Sequence, residues 1–110
     1  MPRYGIFTPG MVIEFLRIEV TAQYREQYLQ LDREIWTTAL AKCPGFISKE
    51  VLLNPNKPAE VILIIRWASR EEWKSTSCQL LAEVEAQFAL ATGSIHHQII
   101  ESVEYQVIAQ

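Results

Sequence analysis

The segment Glu60-Val61-Ile62-Leu63-Ile64-Ile65-Arg66-Trp67 constrains the fold of this chain more than any other. Successive side chains of a strand point to opposite faces. Val61, Leu63, Ile65 and Trp67 share one face, and Ile62 and Ile64 share the other. A strand that is apolar on both faces requires two covers. The chain has 110 residues, a length that predicts one domain. Its helices suffice to cover one face of one small sheet. The second cover is expected from another copy of the chain, because a domain this small leaves much of its surface unburied.

The segments around this strand supply the rest of the sheet. Residues 1–10 carry two prolines and read as an irregular arm, with the single domain over 11–110. Met11 to Val20 reads as a strand. Val12, Glu14, Leu16, Ile18 and Val20 form its helix-facing row, and Ile13, Phe15, Arg17 and Glu19 form the other. Thr21 is a suitable N-cap for a helix over about 22–42. Tyr24, Tyr28, Leu31, Ile35 and Ala39 recur there at helical spacing, widened by Leu29, Trp36 and Leu40. Cys43-Pro44-Gly45 ends it. Phe46 to Asn54 is a second strand, joined through the turn Asn54-Pro55-Asn56-Lys57-Pro58 to the strand over 60–68. Ser69-Arg70-Glu71-Glu72 is a capping box. It opens a second helix with the stripe Trp73, Ser77, Leu80, Leu81, Val84 and Phe88, which Gly93 ends. The last strand, over about 98–108, has Ile99, Val103, Tyr105 and Val107 in one row.

The order is β-α-β-β-α-β, the ferredoxin-like α+β arrangement. Right-handed crossovers place both helices on one face of a four-stranded antiparallel sheet. The opposite face then presents Ile13, Phe15, Ile62 and Ile64, too apolar a cluster for open water. Two such sheets packed face to face would bury it. Arg17, Glu19 and Arg66 are expected to pair across that interface and set its register.

Three features together resemble one family. Pro44-Gly45-Phe46 links the first helix to the second strand. The strand from Val61 closes on Arg66-Trp67. The run Trp67-Ala68-Ser69-Arg70-Glu71-Glu72-Trp73 opens the second helix. Residues 11–108 resemble the antibiotic biosynthesis monooxygenase-like (ABM) family of dimeric α+β barrels, and most of all a small cyanobacterial group within it. The resemblance implies a homodimer with a pocket inside each protomer, between sheet and helices. Some members are cofactor-independent oxygenases of polycyclic aromatic molecules, some degrade haem, and many have no known activity, so membership does not transmit a reaction. A haem-degrading site would pair Trp67 with an Asn near Leu16 and a His near Ser77. Neither is present, so the resemblance does not extend to haem.

The net charge of −3 and scattered basic residues offer no footprint for nucleic acid or anionic lipid. The third strand also lacks the Gly- and Phe-rich pattern of an RNA-recognition sheet. No stretch has the length of a membrane span, and residues 1–10 do not read as a targeting signal. Cys43 and Cys78 fall on separate predicted helices and are read as inert free thiols in a reducing cytoplasm. Adjacent His96 and His97 point oppositely if extended and chelate poorly, so they are read as loop histidines and no metal is expected. No Gly-rich phosphate loop or nucleophile elbow occurs, and no cofactor is expected.

The expected ligand pocket is walled by Leu16, Tyr28, Trp36, Trp67, Trp73 and Ser77, with Tyr24 on the same stripe. Trp67 is read first as ordinary core, its indole N–H bonded to backbone, and as a pocket wall in the alternative. Glu14 is the weak catalytic candidate. In the helix-facing row it would be desolvated and suited to act as a general base on a phenolic or enolic substrate. At a frayed strand start it would be wet and inert. Two functions remain: a homodimeric module holding a small apolar ligand, or a cofactor-independent monooxygenase of an aromatic or polyketide-like molecule. An open cavity with converging polar groups favours the second, and a dry, filled one means no small-molecule function.

Overall fold

The computed structural model describes residues 10–110, so residues 1–9 of the expected arm lie outside the described residues. The elements are β1 (Val12–Val20), a 3-10 turn (Ala22–Tyr24), α1 (Arg25–Asp32), a π turn (Arg33–Thr37), α2 (Thr38–Leu40), β2 (Phe46–Leu52), β3 (Glu60–Trp67), α3 (Arg70–Lys74), α4 (Cys78–Thr92) and β4 (His97–Gln106). The strands form one antiparallel sheet in the order β2-β3-β1-β4. The helices pack on one face of it, as the ferredoxin-like order requires.

Alternation along β3 sorts its two faces. Val61, Leu63, Ile65 and Trp67 are at most 4% exposed, beneath the helices. Ile62 and Ile64 are half-buried on the other face. Each fully buried aliphatic side chain contributes about 1.5–3 kcal/mol of transfer free energy. The core joins two clusters. Ile18, Val20 and Tyr28 pack with Phe88 and Ile95 at one end. Val12, Leu40, Cys43 and Trp67 pack at the other.

Gly45 explains the Pro44-Gly45-Phe46 link. Its φ is +82°, and a Cβ there would sit 2.5 Å from Glu72 Cβ. The Gly45 carbonyl accepts the Ala68 N–H at 2.7 Å. The turn is thereby sewn to the junction between β3 and α3, and only glycine fits.

Four local expectations need correction. First, the helix over 22–42 is not uniform. It widens into the π turn at Arg33–Thr37 and gives way to turn residues after Leu40. β-branched Ile35, Thr37 and Thr38 crowd a regular α turn, and the Thr38 hydroxyl donates to the Arg33 carbonyl at 3.3 Å. Second, the helix over 70–92 is two helices. The hydroxyl-rich step Ser75-Thr76-Ser77 competes with the helical ladder: Ser75 Oγ donates to the Glu72 carbonyl at 2.7 Å, and Ser77 Oγ accepts the Leu80 N–H at 3.3 Å as the cap of α4. Third, β2 ends at Leu52 and β3 at Trp67, both short of the expected bounds. Fourth, Ile99 does not share a row with Val103 and Tyr105. Arg17 pairs with Glu101 but Ile18 pairs with Ile99, so Ile100 is an extra residue. A bulge of this kind switches the facing of everything beyond it.

Candidate functional site

A cavity of about 450 Å³ lies between the sheet and the helices. Leu16, Leu63 and Ile65 form its floor, and Tyr28 and Trp36 close it from the helical side. Trp36 stands within the π turn. Such turns are frequent at functional sites. Trp67 and Trp73 form the end wall, stacked with ring centroids 6.5 Å apart. Leu81 and Glu85 on α4 face Ile99 and Ser102 on β4 across the mouth, where all four are exposed. The mouth exists because α4 packs chiefly on α1 and the π turn, leaving β4 beside it largely uncovered.

Leu16, Tyr28, Trp36, Trp67 and Trp73 therefore line one space. Ser77 does not. It is exposed as the α4 cap, and Thr76 lines the cavity in its place. The register of the second helix shifts because that helix breaks. Tyr24 is 41% exposed and outside the lining. Its 3-10 turn places it on the surface.

Trp67 is at once core and wall. It is fully buried, and its Nε1–H donates to Glu14 Oε1 at 3.3 Å, not to backbone. Glu14 lines the cavity. Burial pushes its carboxyl above the ordinary value of 4.5; the Trp67 hydrogen bond and the positive charges of Lys74 and Lys49 oppose this, and burial prevails. Such a group is a stronger base than an exposed carboxylate once ionised. Burial, with the Asp32 charge adding to it, also raises the Tyr28 phenol, which stays protonated.

Two charged groups escaped the sequence reading. Lys49 Nζ and Asp32 Oδ2 lie 2.6 Å apart with both side chains at most 4% exposed. Both line the cavity. Asp32 follows Tyr28 by four residues and precedes Trp36 by four, so its place on the buried stripe was readable. The partner was not, because Lys49 joins the site only through the β2–β3 register. Lys49 and Glu14 are both Cα partners of Ile65, so the floor carries an ammonium and a carboxyl in one cross-strand row. Thr76 Oγ1 is buried without a hydrogen-bond partner.

His97 also departs from expectation. It begins β4, lines the cavity, and packs against Tyr28 and Phe88 with centroids 5.0 and 5.7 Å away. Its Nδ1 lies 3.0 Å from the Ile95 carbonyl. The strand starts one residue earlier than predicted, and strand parity turns this imidazole inward. His96 is exposed. Cys43 is buried and Cys78 exposed, both free thiols. Among the described residues no three His, Cys, Asp or Glu side chains cluster to hold a metal, and no helix is long and apolar enough to cross a membrane.

On the outer face, Ile13, Phe15, Ile62 and Ile64 are half-buried. Phe15 meets Tyr105 edge-on at 6.1 Å. The charged residues expected to pair across a dimer pair within the chain. Arg17 bonds Glu60 at 2.6 Å and Glu101 at 3.1 Å. Arg66 bonds Glu50, and Glu19 accepts from Gln98. The antiparallel register sets Glu101 opposite Arg17 and Gln98 opposite Glu19, and it brings Glu50 beside Arg66, so each charge is satisfied locally.

A four-stranded sheet, helices on one face and a cavity between them define an ABM-type α+β domain. The family model for antibiotic biosynthesis monooxygenases matches residues 11–76, and the chain belongs to that family. A comparison with curated proteins found no match. Among solved structures, the chain is similar to SnoaB from Streptomyces nogalater, a cofactor-independent oxygenase. Identity is 15%, coverage 92% of this chain and 96% of that one, and the TM-score 0.65. It is also similar to a protein from Chloroflexus aurantiacus described as a candidate antibiotic biosynthesis monooxygenase, at 19% identity, 91% and 95% coverage and TM-score 0.65. A conserved protein from Methanosarcina mazei matches at 14% identity, 87% and 91% coverage and TM-score 0.64.

Proposed function

We propose that this protein is a cytoplasmic homodimer that takes one small, largely aromatic molecule into the cavity of each protomer. The observation that carries this reading is the wall itself: Trp36, Trp67, Trp73 and Tyr28 around a space large enough for a small ligand. The half-buried Ile13, Phe15, Ile62 and Ile64, rimmed by Arg17 and Arg66, support self-association through the outer face. Free thiols suit a reducing compartment.

A second reading is favoured by one further observation, Glu14. It would make the protein a cofactor-independent monooxygenase of an aromatic or polyketide-like substrate. The ionised Glu14 would take the proton of a phenolic or enolic hydroxyl, and the resulting electron-rich anion would react with dioxygen at carbon, one oxygen atom staying as a carbonyl and the other leaving as water, with the substrate supplying all the electrons. SnoaB supports this by fold and not by residues. Haem degradation is not supported: Leu16 offers no hydrogen bond, and Ser77 lies outside the cavity.

The test uses 1-methoxy-4-nitronaphthalene, a neutral nitroaromatic that quenches tryptophan fluorescence on contact. Saturable quenching is expected, with native mass spectrometry showing two probes per dimer. Leu16→Trp, which fills the floor, is expected to weaken binding at least tenfold. No saturable quenching would remove the reading. Oxygen uptake with a hydroxylated polycyclic aromatic, abolished by Glu14→Gln, separates the enzyme from the binding module.

A further inference from the structure

The charged pair inside the cavity has no role in the reading above, and it narrows the ligand. A lysine and an aspartate are seldom buried, and the pair is costly to desolvate. Two apolar residues would close the same space more cheaply. Lys49 carries three N–H donors, and Asp32 Oδ2 accepts one of them. The ammonium also lines the cavity, where its remaining donors can meet a ligand. Neighbouring strands lie about 4.8 Å apart, so the row Glu14, Ile65, Lys49 spans about 10 Å between its outer Cα atoms. An aromatic ring resting on Ile65 meets a carboxyl on one side and an ammonium on the other.

We propose that Lys49 holds the ionised oxygen of the phenolic or enolic ligand that Glu14 would deprotonate, with Asp32 as the positioning residue that orients the ammonium. This rests on the cavity being a ligand site. The balance is simple. The ligand O–H bond breaks, the proton passes to the Glu14 carboxylate, and the electron pair stays on the ligand oxygen. Net charge in the cavity is unchanged. The negative charge moves from a desolvated carboxylate beside Trp67 to an oxygen facing an ammonium, where low local polarity strengthens the attraction. The other charged or titratable groups around the row are the Tyr28 phenol on α1, Glu104 on β4, paired with Arg70, Lys74 on α3, and Glu85 on α4 and His97 on β4.

The experiment compares 1-naphthol, which is un-ionised in water at neutral pH and whose absorption shifts on ionisation, with its methyl ether. In the unaltered protein the naphthol is expected to bind at least tenfold more tightly than the ether at neutral pH. The bound naphthol should ionise with an apparent pKa at least one unit lower than in water, read from its naphtholate absorption. Because Lys49→Met alone strands a buried carboxylate, the neutral pair Asp32→Asn with Lys49→Met is used. That variant is expected to lose the tenfold preference and the pKa depression, whereas Lys49→Arg keeps both. Ether and naphthol binding equally in the unaltered protein, or a preference surviving in the neutral-pair variant, overturns the assignment while leaving the cavity reading intact. If neither probe binds, the cavity reading fails and the assignment falls with it.

Discussion

The two faces of the sheet are built from similar residues and used differently. On the helix side, Val61, Leu63, Ile65 and Trp67 are sealed, yet the space above Leu16 and Ile65 is left open and receives charge from Glu14, Asp32 and Lys49. On the outer side, Ile13, Phe15, Ile62 and Ile64 are crowded by one another and by ion pairs made within the chain. One face spends polar groups inside a cavity; the other keeps its charges at the rim of an apolar patch. The apolar content of a face therefore does not say which face holds chemistry. The position of its charges does: buried and paired inside a cavity on one side, half-exposed and satisfied locally on the other.

The sharpest way to break this comparison is to empty one position on each face. Trp67→Ala removes a fully buried ring from the helix side and is expected to cost about 3–5 kcal/mol in urea unfolding. A loss under 1 kcal/mol would show that the end wall is not core. Ile64→Lys on the outer face is expected to leave the protomer folded and, for the proposed homodimer, to raise the dissociation constant at least a hundredfold, about 2.7 kcal/mol. Light scattering at micromolar concentration should then read the monomer mass. A dimer mass unchanged by the substitution would place self-association on another surface, and a monomer mass for the unaltered protein would remove the proposed homodimer.

Smaller effects refine the picture. Ser69→Ala removes the hydroxyl that accepts the Glu72 N–H at 3.1 Å and is expected to cost about 1 kcal/mol. A thermal melt checks this without touching the cavity. The Glu14 carboxyl lies above its ordinary 4.5 in the folded chain, with burial the leading cause. The folded state therefore holds the proton to higher pH than the unfolded state does. Its contribution to stability is complete below about 4.5 and is lost as pH rises through the raised value. Glu14→Gln is expected to flatten this slope and to gain on the parent as pH rises to 7. Urea midpoints against pH that run parallel for the two proteins would place Glu14 in water.

Much of the fold was legible because it follows from short-range periods. Strand parity sorted β1 and β3 correctly, and the Ser69 capping box and the glycine exit at Gly45 marked boundaries. The misreadings cluster where one residue changes the count. Ile100 inserts a bulge and reverses Ile99. The Ser75-Thr76-Ser77 step breaks a helix and exchanges Ser77 for Thr76 at the cavity. A strand start one residue early turns His97 inward. Periodic reasoning has no defence against a single insertion, since every later residue changes face.

The chain alone determined the element order, the buried row of β3 and the aromatic character of the cavity wall, because alternation and helical spacing are properties of neighbours along the backbone. Only the folded molecule decided that Lys49 meets Asp32, that Trp67 donates to Glu14 and that α4 leaves β4 open at the mouth. Those contacts depend on strand register and helix placement, which join residues far apart in the sequence and leave no periodic trace in it.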